Sequence, residues 1–107
     1  MRELEKSYEL VTTSVNVFDL FYGEFKSGRE RNVTAVRELA KRIEVLSLTE
    51  KAAEQAGKVA AELERKGMSI DFRDALIAGI AMASNTALYI TNVDRFRKIE
   101  GIRLLEI

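Results

Sequence analysis

The chain has 107 residues, and its 17 Lys and Arg are balanced by 17 Asp and Glu. That length buries one core and is too short for two, and zero net charge removes any overall field towards nucleic acid, a membrane or an acidic substrate. With no Cys and no His, a disulfide framework, a thiolate zinc site, a cysteine nucleophile and a histidine general base are all excluded. The chemistry that remains belongs to carboxylates, hydroxyls, amides and amines. No apolar run approaches the roughly 18 to 20 residues of a membrane span, and "MRELEKSYEL" has no signal-peptide core. A cytoplasmic protein with no membrane partner is expected, with residues 1–107 forming a single domain.

In chain order, "ELVTT" (9–13) reads as a short strand rich in β-branched residues. Ser14 stands as the N-cap of a helix over "VNVFDLFYGEF", whose apolar residues recur at spacings of three and four and predict a largely buried helix. "KSGRERN" is a polar connection. "VTAVRELAKRI" follows as an amphipathic helix with Val33, Val36, Leu39, Ala40 and Ile43 on one face, which makes a helical hairpin. "EVLSL" is a second strand, and Thr49 caps a helix over "EKAAEQAGKVAAELERK" that stops at Gly67. Another helix runs from about Asp71 to Ser84, with Asn85 as its stop, and "TALYI" is a third strand. "NVDRFRKI" makes a helical turn broken by Gly101, and "IRLLEI" closes the chain as a fourth strand. Strands alternating with helices predict an α/β fold: a parallel sheet of about four short strands flanked by helices.

The acids carry the chemistry. Asp71 sits where a helix starts, an N-cap position, and Asp74 three residues on would complete a capping-box-like pair. Asp74 also points back past the helix N-terminus, towards the sheet edge where sites form in open parallel sheets. The small residues Ala75, Ala78, Gly79, Ala81 and Ala83 would let that helix lie close to the sheet. Asp19 follows a strand by about one helical turn among aromatic neighbours, and is either solvated or part of a site. Asn92, just after "TALYI", either caps the next turn or joins the acids. A parallel sheet would gather Asp19, Asp74 and Asn92 at one edge, and an oxygen-only set suits a hard cation such as Mg²⁺ or Mn²⁺.

Together, "LVTTSVNVFDLFYGEFKSG", "IDFRDALIAGIAMASNTALYI" and "TNVDRFRKIEGIRLLEI" resemble the PIN domain, specifically the VapC-type toxin nucleases of toxin-antitoxin pairs. The resemblance runs from about residue 9 to 107. It implies a PIN-like three-layer sandwich and a Mg²⁺- or Mn²⁺-dependent ribonuclease that dimerises and is neutralised by an antitoxin. Asp19 falls on the acid of the helix after the family's second strand, Asp74 on the acid of the "DALIA" motif, and Asn92 on the fourth position, where Asp or Asn is found. These three are the catalytic and metal-ligating candidates. Ile90 stands where the family often has Thr or Ser. The family also opens with a strand and helix carrying an Asp motif, and this chain begins after them, so an N-terminally truncated domain missing its first strand is expected.

Two functions follow from that. One is the metal-dependent ribonuclease acting on RNA as the toxin of such a pair. The other is a catalytically dead PIN-like interaction module that dimerises or binds an antitoxin. Lys26, Arg29, Arg31, Arg37, Lys41 and Arg42 make a local basic stretch, either a solvated face laced with ion pairs or a surface for RNA phosphates. Phe21, Tyr22 and Phe25 are expected in the core or a dimer interface.

Overall fold

The computed structural model describes residues 11–90 and 95–106. The chain divides into two compact units, Met1–Leu46 and Ser47–Ile107. Among the described residues no helix is long and apolar enough to cross a membrane.

The first unit contains β1 (Val11–Thr13), α1 (Ser14–Ser27), α2 (Glu30–Arg42) and β2 (Glu44–Leu46). β1 and β2 are parallel, with Val11 opposite Glu44 and Thr13 opposite Leu46. A parallel pair needs a long crossover, and the α1–α2 hairpin supplies it. The helix begins one residue earlier than the sequence suggests: Thr13, still extended, is the N-cap, and the Asn16 amide N–H donates to Thr13 Oγ1 at 3.1 Å. Thr13 ends the strand, so its hydroxyl is already aimed along the new helix axis, and Ser14 becomes the first helical residue. Gly28, at φ 72°, ends α1 in the left-handed region, with the Arg29 N–H returning to the Glu24 carbonyl at 3.0 Å. This turn is tighter than the seven-residue connection expected from composition.

Only Val15 of α1 is buried. Phe18, Tyr22 and Phe25 are 56%, 52% and 60% exposed, and Phe18 and Tyr22 stack on one another with ring centroids 5.9 Å apart. The prediction of a largely buried helix therefore fails. Its apolar spacing is real, but more faces are apolar than the short β1–β2 ladder and one partner helix cover. In α2, Val33 and Val36 are buried as expected, while Leu39 is exposed.

The second unit contains α3 (Glu50–Arg65), α4 (Phe72–Ala83), β3 (Leu88–Ile90) and β4 (Leu104–Glu106). β3 and β4 are parallel, with Leu88 opposite Leu104. The parallel strands and flanking helices match the expected class; among the described residues they pair as two ladders, β1 with β2 and β3 with β4. Thr49 caps α3 as predicted, accepting the Ala52 N–H at 3.1 Å. Gly67 at φ 76° and Asn85 at φ 53° follow the two helix ends. In each case an amide N–H reaches back across the end, Met68 to Leu63 O at 2.9 Å and Thr86 to Ala81 O at 2.8 Å. These bonds satisfy carbonyls that the helix leaves without partners.

α3 buries Ala52, Ala56, Val59 and Leu63, a stripe at helical spacing, and packs on α4, in which Ala75, Ile77, Ala78, Gly79, Ile80 and Ala81 are buried. The small residues of α4 thus serve an approach to another helix as well as any approach to the sheet. A Cβ at Gly79 would lie 2.5 Å from the Ala52 carbonyl oxygen and 2.7 Å from the Ala56 nitrogen. The start of α4 is fixed with the same precision by Asp71, whose Oδ1 accepts the Arg73 N–H at 2.8 Å. Asp71→Ala removes this cap and is expected to lower stability by about 1 kcal/mol in urea denaturation.

Candidate functional site

Asp71 and Asp74 lie three residues apart in one sequence stretch and are treated oppositely by the fold. Asp71 is exposed and spends an oxygen on the helix N-terminus. Asp74 is only 5% exposed. It sits in the first turn of α4, where the helix dipole favours a negative charge, and it is buried there. A buried carboxylate is tolerated only when its charge and lone pairs are met.

Arg95 meets them. Its Nε donates to Asp74 Oδ2 at 3.0 Å, and its Nη2 donates to Asp74 Oδ1. This two-pronged pairing is the strong form of an Arg–carboxylate contact, because the planar fork matches both oxygens at once. The Asp74 oxygens are thus committed to a cation 21 residues away in sequence, which sets this acid apart from a capping-box partner. Arg95 opens the turn that follows β3, where Phe96 and Ile99 are buried. The guanidinium carbon lies 5.4 Å from the centroid of the Phe96 ring. The pair is asymmetric: the Asp74 side chain is 7% exposed and the Arg95 side chain 56%.

Arg95 was not singled out by the sequence. The available signal was the burial implied for Asp74 by the small-residue run after it, which demands a counter-charge, together with the basic residues Arg95, Arg97 and Lys98 that follow the fourth site position. Asp19 is half-buried in the second turn of α1, within the first unit. Asn92 lies outside the described residues. Among the described residues no group of three or more acidic side chains is arranged to hold a metal ion.

The family model of the PIN domain matches residues 1–102. The tRNA(fMet)-specific endonuclease VapC of Salmonella typhimurium is 37% identical over 93 residues, covering 86% of this chain and 70% of that protein. Ribonuclease VapC2 of Rickettsia felis is 31% identical over 102 residues, covering 94% of this chain and 76% of that protein. The fold superposes with a TM-score of 0.87 and 28% identity on the crystal structure of VapBC2 from Rickettsia felis bound to a DNA fragment from its promoter, covering 99% of this chain and 80% of that one. The chain belongs to the PIN domain family, on its VapC branch. Nucleases of this branch generally depend on a divalent metal ion.

Among the described residues one buried carboxylate, Asp74, is a donor of the kind such an ion takes, and no group of acids gathers around it. Asp74 is a hard oxygen donor held in place by its helix, and its burial creates a demand for positive charge that the Arg95 guanidinium at present satisfies. A cation already stands against both oxygens.

Proposed function

We propose that this chain is a PIN-domain ribonuclease, the toxin half of a VapBC-type pair, and that residues 1–107 act as one PIN-like domain. The observation that carries the reading is Asp74, a buried carboxylate fixed at the start of α4 with a cation across both oxygens, in a chain of the VapC branch. Asp19, Asp74 and Asn92 are the proposed ligands for Mg²⁺ or Mn²⁺. When bound, the ion supplies Lewis acidity towards a phosphodiester oxygen and lowers the pKa of a bound water. Asp74 would contribute a negative charge at a fixed place, because it stands at the start of a helix that packs closely on α3 at Gly79.

Exposed Arg31, Arg37 and Arg42 of α2 are proposed to meet RNA phosphates. Two other members of the basic stretch are engaged with neighbouring acids: Arg29 Nε lies 2.8 Å from Glu24 Oε1, and Lys41 Nζ 3.5 Å from Glu38 Oε1. The protein partners proposed are an antitoxin and a second copy of this chain. The exposed Phe18, Tyr22 and Phe25 of α1 favour that binding role, because so large an aromatic face left open to water marks an interaction surface. It serves equally in the alternative reading of a catalytically dead interaction module. A cytoplasmic location fits both.

The deciding experiment is cleavage of a labelled tRNA pool by the purified chain with Mn²⁺ or with EDTA. Cleavage with Mn²⁺ that EDTA abolishes, and that weakens as salt is raised, is the expected result. A folded chain that cleaves no RNA with Mn²⁺, yet binds its antitoxin, would move the assignment to the interaction module.

A further inference from the structure

We propose that Phe72, the first residue of α4, is a stacking platform for an unpaired base of single-stranded RNA. The inference rests on the ribonuclease reading above and adds the form of RNA that the chain takes. Three observations carry it.

The first is the ring itself. Phe72 is 71% exposed, more than any other large apolar residue described. Among the described residues its ring has no aromatic or cationic partner. The rings of α1 differ in this respect: Phe18 stacks on Tyr22, Phe21 on Phe25, and Lys26 Nζ stands 5.6 Å from the centroid of the Tyr22 ring. Those rings already have neighbours, whereas Phe72 is open to a flat partner.

A single exposed phenylalanine is ordinary on a protein surface. What marks this one is its mounting and its surroundings. The backbone on both sides of it is pinned, because Asp71 Oδ1 accepts the Arg73 N–H at 2.8 Å and the Asp71 carbonyl accepts the Ala75 N–H at 3.0 Å. A ring on a fixed backbone loses little freedom when a base settles on it.

The third observation is charge. Arg73 Nε lies 3.7 Å from Asp71 Oδ1, and Arg95 forks across Asp74, so each acid at the start of α4 faces a cation. Lys98 adds a further cation whose partner is neutral: its Nζ donates to the carbonyl of Ser69, three residues before Phe72. The start of α4 therefore carries surplus positive charge beside an open aromatic ring. Single-stranded nucleic acid is bound by that combination, the cations taking the phosphates and the ring a base face. An apolar protein segment would need the ring alone. A base inside a helix is already stacked on both sides, so the strand that uses Phe72 is unpaired there.

The test is steady-state cleavage of a labelled oligouridylate, a strand with no pairing of its own, by the full chain with Mn²⁺. Phe72→Ala is expected to raise KM roughly tenfold with kcat near wild type, in the lower part of the range for losing one base from one ring. Phe72→Leu keeps an apolar side chain without a π-face and should weaken binding in the same way, while Phe72→Tyr should retain it. A wild-type KM in Phe72→Ala would overturn the platform and leave the ribonuclease reading standing. So would a wild-type KM in Phe72→Leu, because a merely apolar contact would then suffice. The chain has no Trp, so Phe72→Trp places a single indole at the position and reports binding without any need for cleavage. Its emission should be quenched as the strand saturates, and unchanged emission with the strand bound would overturn stacking. A wild-type chain that neither binds nor cleaves the strand would overturn the ribonuclease reading and the platform with it.

Discussion

Alanine at position 79 is expected to destabilise the fold by about 3 kcal/mol, near the upper end for overpacking of a single methyl group. In most helix interiors Gly→Ala stabilises, by up to about 1 kcal/mol, because alanine restricts the unfolded chain and suits the helix better. Here the added Cβ would meet the Ala52 carbonyl oxygen at 2.5 Å, the Ala56 nitrogen at 2.7 Å and the Ala56 Cβ at 2.8 Å. Two of those atoms are backbone, so no rotamer change relieves the contact and α3 and α4 must move apart. That separation also loosens the burial of Ala52, Ala56, Ala78 and Ile80, which are all nearly sealed from water. Gly57, on α3 itself, has nothing within 4 Å of an added Cβ. Gly57→Ala should therefore raise the urea midpoint and Gly79→Ala should lower it sharply. Against a total stability of roughly 5–15 kcal/mol the loss is large. Equal midpoints for the two variants would mean that α3 and α4 do not approach as closely as described.

What the sequence made legible follows the range of each interaction. Thr49 and Asp71 were readable as caps because a cap joins a side chain to an amide two or three residues on. Gly67 and Asn85 were readable as stops because a left-handed residue after a helix is a local need. The N-cap of α1 slipped by one residue, from Ser14 to Thr13, since both are hydroxyl residues and only the end of β1 chooses between them. The exposure of Phe18, Tyr22 and Phe25 was illegible, because periodicity reports which residues are apolar and not what covers them. Arg95 was hidden for a related reason. Its partnership with Asp74 spans 21 residues and exists only once α4 and the turn after β3 are placed. The family resemblance marked Asp74 and passed over the arginine, because it assigns roles to acids and has no term for the charge that balances them.

Asp74→Asn is expected to reduce RNA cleavage by more than about 100-fold while leaving the chain folded. Residues that only support a metal ligand typically cost roughly 10–100-fold when changed, so a ligand itself should exceed that range. The substitution keeps shape and volume and removes one negative charge. Its stability cost should stay near 1 kcal/mol, for two reasons. The helix dipole loses a favourable charge worth less than about 1 kcal/mol. Arg95, with 56% of its side chain exposed, can return its guanidinium to water and is not left as a buried unpaired cation. The informative control is the same chemical change three residues earlier. Asn caps helices as well as Asp does, and the Arg73 N–H that Asp71 accepts at 2.8 Å would find an amide oxygen in its place. Asp71→Asn should thus be neutral in both stability and cleavage. Two isosteric substitutions three residues apart then differ in whether the lost charge lay exposed at a cap, beside Arg73, or buried beneath the Arg95 guanidinium. Equal cleavage by the two variants would show that the burial of Asp74 serves the fold alone, and that the Asp74–Arg95 pair is a structural tie between α4 and the turn after β3.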